Sequence, residues 1–138
     1  MRPFHKTIAA TSVFLLPLFS RAQVVINEVC AANWDLLMAD GEYEDWIELY
    51  NAGGGVVDLS GFFLSDKASD PGKWPIPAGT TIPANGHLLF FASKKDGFIS
   101  GQYHTNFKLT AAGAYLALTK DNGAGGYTIV PGAGSDRH

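Results

Sequence analysis

The chain has 138 residues, 46% of them hydrophobic and 17% charged, with a formal net charge of −3. That length suits one domain with its own core and is too short for two. Cys30 is the sole cysteine, which excludes an internal disulfide.

The beginning of the chain has the layout of an export signal. Arg2, His5 and Lys6 make a basic start, and Ile8 to Phe19 is almost wholly apolar. Ser20-Arg21-Ala22 then sets small residues three and one positions before Gln23, the pattern after which signal peptidases cut. The apolar run spans 12 residues, whereas a helix needs roughly 20 to cross a bilayer. Residues 1–22 are therefore expected to be a cleaved signal peptide. The mature protein is expected outside the cell or in the periplasm, without a transmembrane segment. Asn27-Glu28-Val29 lacks the small residues of a lipobox, so Cys30 reads as a half-buried apolar residue, not a lipid anchor. Loss of Arg2, Lys6 and Arg21 leaves seven basic against thirteen acidic residues, a net charge of −6. Such a balance disfavours nucleic acid, whose affinity comes from neutralising phosphates with lysine and arginine.

Beyond Gln23 the chain reads as short apolar or alternating runs punctuated by glycine, proline and aspartate. Val24 to Val29 is rich in β-branched residues. Asn33 to Met38 could make one helical turn. Asp45 to Asn51 alternates Trp46, Glu48 and Tyr50 with Ile47 and Leu49, a period of two that fits a strand with one buried face. Gly53-Gly54-Gly55 and Ser60-Gly61 turn the chain around the runs Val56 to Leu59 and Phe62 to Ser65.

Asp66 to Asn85 is loop-like, with Pro71, Pro75, Pro77 and Pro83 leaving room for one short strand near Thr80 to Ile82. His87 to Ala92 is the most apolar run and predicts a central strand covered on both faces. Phe107 to Leu109 and Tyr115 to Lys120 follow, the latter ending in the turn Asp121-Asn122-Gly123. Tyr127 to Val130 is a last candidate strand before a frayed, glycine-rich end. No closing strand is evident, as in a fragment or the first module of a longer protein. The pattern predicts an all-β fold, an immunoglobulin-like β-sandwich. Its domain covers residues 23–124, and residues 125–138 form a glycine-rich tail or a truncated last strand.

Several segments, in order, resemble the lamin-tail domain of exported bacterial proteins. They are Ile26-Asn27-Glu28-Val29 with Asn33, then Asp45 to Asn51, then Val57-Asp58-Leu59-Ser60-Gly61-Phe62 running to Leu64-Ser65-Asp66. Trp74, Gly79 to Ile82, Ala92-Ser93-Lys94 and His104 to Leu109 continue the likeness, which spans roughly residues 24–120. It fades from Gly125 to His138, where the family continues with another strand and an arginine-containing turn. The resemblance implies an immunoglobulin-like sandwich that acts as a binding or accessory module, with no catalytic residue set.

The residues themselves carry no catalytic motif. Asp40, Glu42, Glu44 and Asp45 form the densest acidic stretch, and grouped hard oxygen ligands are what calcium takes. Their spacing is not that of an EF-hand loop. The bland alternative is a solvated loop whose charges keep an edge from pairing with other chains. Glu28 and Glu48 would serve a glycosidase only with a cleft and about 5–10 Å between carboxyl groups. His87 and His104 have no zinc-site spacing. Ser60, Ser65, Ser93 and Ser100 lack a nucleophile-elbow context. Among the aromatics, most of which belong in a core, Trp34 and Trp74 fall in loop-like segments and are the candidates for an exposed contact surface.

These readings favour a non-catalytic secreted or cell-surface interaction or adhesion module. Its expected partner is a protein or a glycan at the envelope or outside the cell, and no cofactor other than calcium is expected. An accessory domain of a longer secreted hydrolase or nuclease is the alternative from another class. Direct nucleic-acid binding is the third.

Overall fold

Strand formation follows the period-two pattern most plainly in the DWIELYN segment. Ile47 and Leu49 are fully buried there, while Glu48 and Tyr50 stand half-buried on the opposite face. A computed structural model describes residues 23–113 and 115–134; the expected signal peptide lies outside the described residues. In chain order the strands are β1 (Val24–Cys30), β2 (Met38–Ala39), β3 (Glu42–Tyr43), β4 (Trp46–Asn51), β5 (Val57–Asp58), β6 (Phe62–Ser65) and β7 (Trp74–Pro75). They continue with β8 (Thr81–Ile82), β9 (His87–Phe91), β10 (Gly97–Ile99), β11 (Gln102–His104), β12 (Ala117–Asp121) and β13 (Tyr127–Gly134). Among the described residues there is no helix, and so none long and apolar enough to cross a membrane.

Two sheets dominate. One has five strands in the order β1-β4-β9-β11-β10, the other four in the order β13-β12-β6-β7. Pairing is antiparallel except between β9 and β11, which run parallel. Ile47, Leu49 and Phe90 of the first sheet pack with Leu64, Trp74 and Leu118 of the second, and all six belong to one apolar core. This is the all-β, immunoglobulin-like sandwich that the alternation predicts.

A β-bulge keeps β1 in register with that core. Ile26 faces Leu49 and Glu28 faces Glu48, so Asn27 is the extra residue. The shift lets Val24 and Ile26 point inward before it and Val29 after it. At the C-terminal end of β4, buried Asn51 ties the β4–β5 loop to the end of β8. Its Nδ2 donates to the carbonyls of Gly55 (2.8 Å), Ile82 (3.1 Å) and Pro83 (3.1 Å).

The structure corrects four expectations. The Asn33 to Met38 segment is not helical, because the Asn33 side chain organises it as a loop. Phe107 to Leu109 joins no ladder beyond a single bridge between Ser93 and Lys108; Phe107 is buried as a core plug. Two hairpins, β2–β3 and β10–β11, stand where no strand is expected. Their turns, Asp40-Gly41 and Ser100-Gly101, have positive φ at both residues, as two-residue hairpin turns require. Finally, the last strand does not stop at Val130, and residues 131–134 continue it. The strand β13 pairs with β12 as far as Gly134 opposite Ala117, so the sandwich extends past residue 124. Glycine is a poor strand former in isolation, but the open edge of β12 supplies backbone partners, and Val130 packs on the core.

Candidate interaction surface

The segment from Ala31 to Asp45 carries the most exposed aromatic surface of the described residues, and Asn33 builds it. The Asn33 amide, 6% exposed, donates to the carbonyls of Leu37 and Glu44, the latter at 2.9 Å. Its Oδ1 accepts the backbone N–H groups of Leu36 (3.0 Å) and Leu37 (3.3 Å). The Asn33 N–H in turn donates to Asp45 Oδ1 at 3.3 Å. Every polar atom of this side chain is thus engaged, and the three residues after it are pushed outward. Trp34 is 82% exposed and Leu36 69%, with Asp35 exposed between them.

The chain then returns through the β2–β3 hairpin. Ala39 anchors the hairpin in a small second cluster on the outer face of the first sheet, against Trp46 and Phe91. Tyr43 stays on the surface, 48% exposed. Asn33, Trp34, Tyr43, Glu44, Asp45 and Lys108 line a groove of about 360 Å³ between this segment and the chain beyond β11. A larger groove of about 610 Å³ runs beside β13. Its charged walls are engaged locally: Ser60 donates to Asp58, and Lys120 sits over the Phe62 ring at 5.2 Å.

Charge is gathered beside the aromatic groove. Lys95 Nζ stands 3.4 Å from Asp40, 3.2 Å from Glu42 and 3.9 Å from Glu44, and Lys108 Nζ is 3.5 Å from Glu44. The Lys95 hydrogen bond and charge hold the Glu42 carboxyl below its usual range. Burial pulls the Lys95 ammonium down, but its bonds to Glu42 and Asp40 outweigh that and leave it above the ordinary lysine value. Asp40, Glu42, Glu44 and Asp45 therefore do not converge on the single oxygen-ligand site that their grouping in the sequence suggested for calcium. Three converge on an ammonium group, and Asp45 turns to the Asn33 backbone. Among the described residues no group of three or more Asp, Glu, His or Cys side chains is placed to hold a metal ion.

Of the two tryptophans expected at a contact surface, the structure exposes one and buries the other. Trp74 is 2% exposed, paired with Leu64 across β6–β7 and edge-on to Phe90 with ring centroids 5.9 Å apart. Its indole N–H donates to Asp96 Oδ1 at 3.0 Å, tying the two sheets together. Trp74 belongs to the core because its partners arrive from β6, β9 and the β9–β10 loop. No local signal in its proline-rich segment reports them.

The remaining candidates are placed as follows. Glu28 and Glu48 are neighbours on the outer face of the first sheet, and Glu48 Oε1 accepts Asn27 Nδ2 (2.7 Å) and meets His87 Nδ1 (2.8 Å). His87 also stacks on Tyr50, with ring centroids 4.6 Å apart. Ser93 Oγ and His104 Nδ1 are 2.8 Å apart, yet Ser93 is 4% exposed and His104 is fully buried. Burial and the nearby Lys95 charge push His104 below the usual histidine range. Tyr43 and Lys108 were missed as surface residues in the sequence. The Asp40-Gly41 dipeptide, a hairpin signal, could have placed Tyr43 beside Trp34.

The family model for the Lamin Tail Domain matches residues 18–130. The chain belongs to the lamin tail domain family. No curated protein and no solved structure gives a match. In this lamin tail domain, the matched region takes in both large sheets through Val130 and the whole aromatic groove.

Proposed function

We propose that this lamin tail domain is a non-catalytic interaction module of an exported protein, and that its contact surface is the groove beside Trp34. The exposure of Trp34 carries the reading. An indole left 82% in solvent, on a loop fixed by five hydrogen bonds involving Asn33, is an ordered apolar anchor of the kind that dominates binding surfaces. Tyr43 and Leu36 extend it. The two polar pairs with catalytic residue types are engaged structurally. The Ser93–His104 pair is buried, and the outward Glu48 and His87 are bound to each other.

The test is retention of the purified protein on an envelope fraction. Trp34→Ala is expected to abolish retention while leaving the melting temperature within a degree or two, since surface substitutions change stability by about 0.5 kcal/mol or less. Retention unchanged by that substitution, or turnover in broad hydrolase screens, would overturn the reading.

A further inference from the structure

The charge around the groove specifies its occupant more closely. The segment Trp34 to Trp46 (WDLLMADGEYEDW) holds five carboxylates and no lysine or arginine. Two lysines reach in from distant parts of the chain: Lys95 is held by Asp40, Glu42 and Glu44, and Lys108 by Glu44. Asp35 and Asp45 are left over. Among the described residues no lysine, arginine or histidine pairs with either. Asp35 is exposed beside Trp34, and Asp45 lines the groove with one oxygen accepting the Asn33 N–H.

Two exposed aromatic faces next to uncompensated negative charge suit a cation. The face of an indole attracts ammonium and guanidinium groups more strongly than any other aromatic side chain. A neutral sugar would also stack on Trp34, but it brings no positive charge to answer Asp35 and Asp45, and the fully engaged Asn33 amide has no donor left for its hydroxyls. A phosphate backbone would meet Asp35 and Asp45 with like charge.

We propose that the groove takes a lysine or arginine side chain from an extended basic segment of a protein partner. The cation lies over the Trp34 indole, and Asp35 and Asp45 supply the counter-charge. This rests on the groove being the contact surface, and it adds the class of partner.

A fluorescein-labelled octapeptide of alternating arginine and serine provides the probe, read by anisotropy against the purified protein. A glutamate-serine octapeptide and chitohexaose serve as competitors. The arginine peptide is expected to bind and neither competitor to displace it. Trp34→Ala, which leaves net charge unchanged, should weaken binding about tenfold. Asp35→Asn should weaken it by a few-fold, and more than Asp70→Asn, the same charge change on the exposed loop packed over the second sheet. Equal losses for Asp35→Asn and Asp70→Asn with none for Trp34→Ala would reduce the effect to bulk charge and overturn the proposal, as would displacement by chitohexaose. If Trp34→Ala abolishes envelope retention while the wild-type protein ignores the arginine peptide, the cation proposal fails and the contact surface stands. If Trp34→Ala changes neither, the surface itself is wrong.

Discussion

The two apolar clusters of the molecule differ in kind. The one between the sheets is large and closed, with Leu49, Leu64, Phe90 and Leu118 all fully buried. The other, on the outer face of the five-stranded sheet, holds Ala39, Trp46 and Phe91 beneath the β2–β3 hairpin. Phe90 and Phe91 are adjacent in β9 and enter opposite clusters, as strand alternation dictates. In the inner cluster the Trp74 indole donates to Asp96. On the outer face, Trp46 Nε1 and His104 Nε2 find no partner among the described residues, as is also true of Asn106 Oδ1 next to Phe107. One cluster holds the sandwich closed. The other seats the hairpin that carries Tyr43 and leads to Glu44 in the groove.

The sharpest break of that contrast is a pair of substitutions. Phe90→Ala is expected to cost about 3–5 kcal/mol, because a cavity between two sheets cannot collapse easily. Phe91→Ala should cost about 1–3 kcal/mol, since the short hairpin above it can settle into the space. Denaturant titration of both variants measures the difference; equal losses would show that the outer cluster is as closed as the inner one.

Asn33→Ala comes next. It removes the partner of the Leu37 and Glu44 carbonyls and should destabilise the fold by about 1–3 kcal/mol. Its cleaner signature is local: limited proteolysis between Ala32 and Glu44 should speed up more than cleavage elsewhere. Uniform acceleration would place Asn33 with the global core.

The smallest effect is the dependence on acidity. His104 is fully buried and faces Phe91 on β9, Ser93 and Lys95 in the next loop, and the Asp40 and Glu44 carboxylates of the hairpin segment. Burial first, and then the Lys95 charge, depress it below the ordinary value of 6.5. The unfolded chain therefore binds this proton more readily than the folded one. The stability involved is complete above the unfolded pKa and is lost as pH falls through it toward the folded value. Melting temperature should decline between pH 7.5 and 5.5, above the range in which Glu42 and Asp58 titrate. His104→Gln should flatten that decline whatever its effect on absolute stability. An unchanged slope would assign the decline to other groups.

Much of the sandwich was legible before any tertiary contact was known. Alternation in β4, the β-branched run of β1 and the apolar run of β9 are local properties with one reading each. The strands that escaped notice are two or three residues long. They exist because a two-residue turn folds them back, as in β2–β3 and β10–β11, or because a neighbouring strand offers an edge, as β6 does for β7. The candidate surface was half legible: Trp34 stood out in a loop-like segment, whereas Tyr43 needed the Asp40-Gly41 turn to be read as a hairpin.

By itself, then, the order of side chains determined the long strands β1, β4 and β9, which faces of them are apolar, and the family to which the chain belongs. Only the folded arrangement decided between Trp34 and Trp74, two tryptophans in similarly irregular segments. Burial depends on what arrives from elsewhere: Leu64, Phe90 and Asp96 close over Trp74, and among the described residues nothing covers Trp34. The same holds for charge. Lys95 and Lys108 are far along the chain from the acidic stretch, and through-space contact alone sets them against Asp40, Glu42 and Glu44 and leaves Asp35 and Asp45 to face solvent and groove.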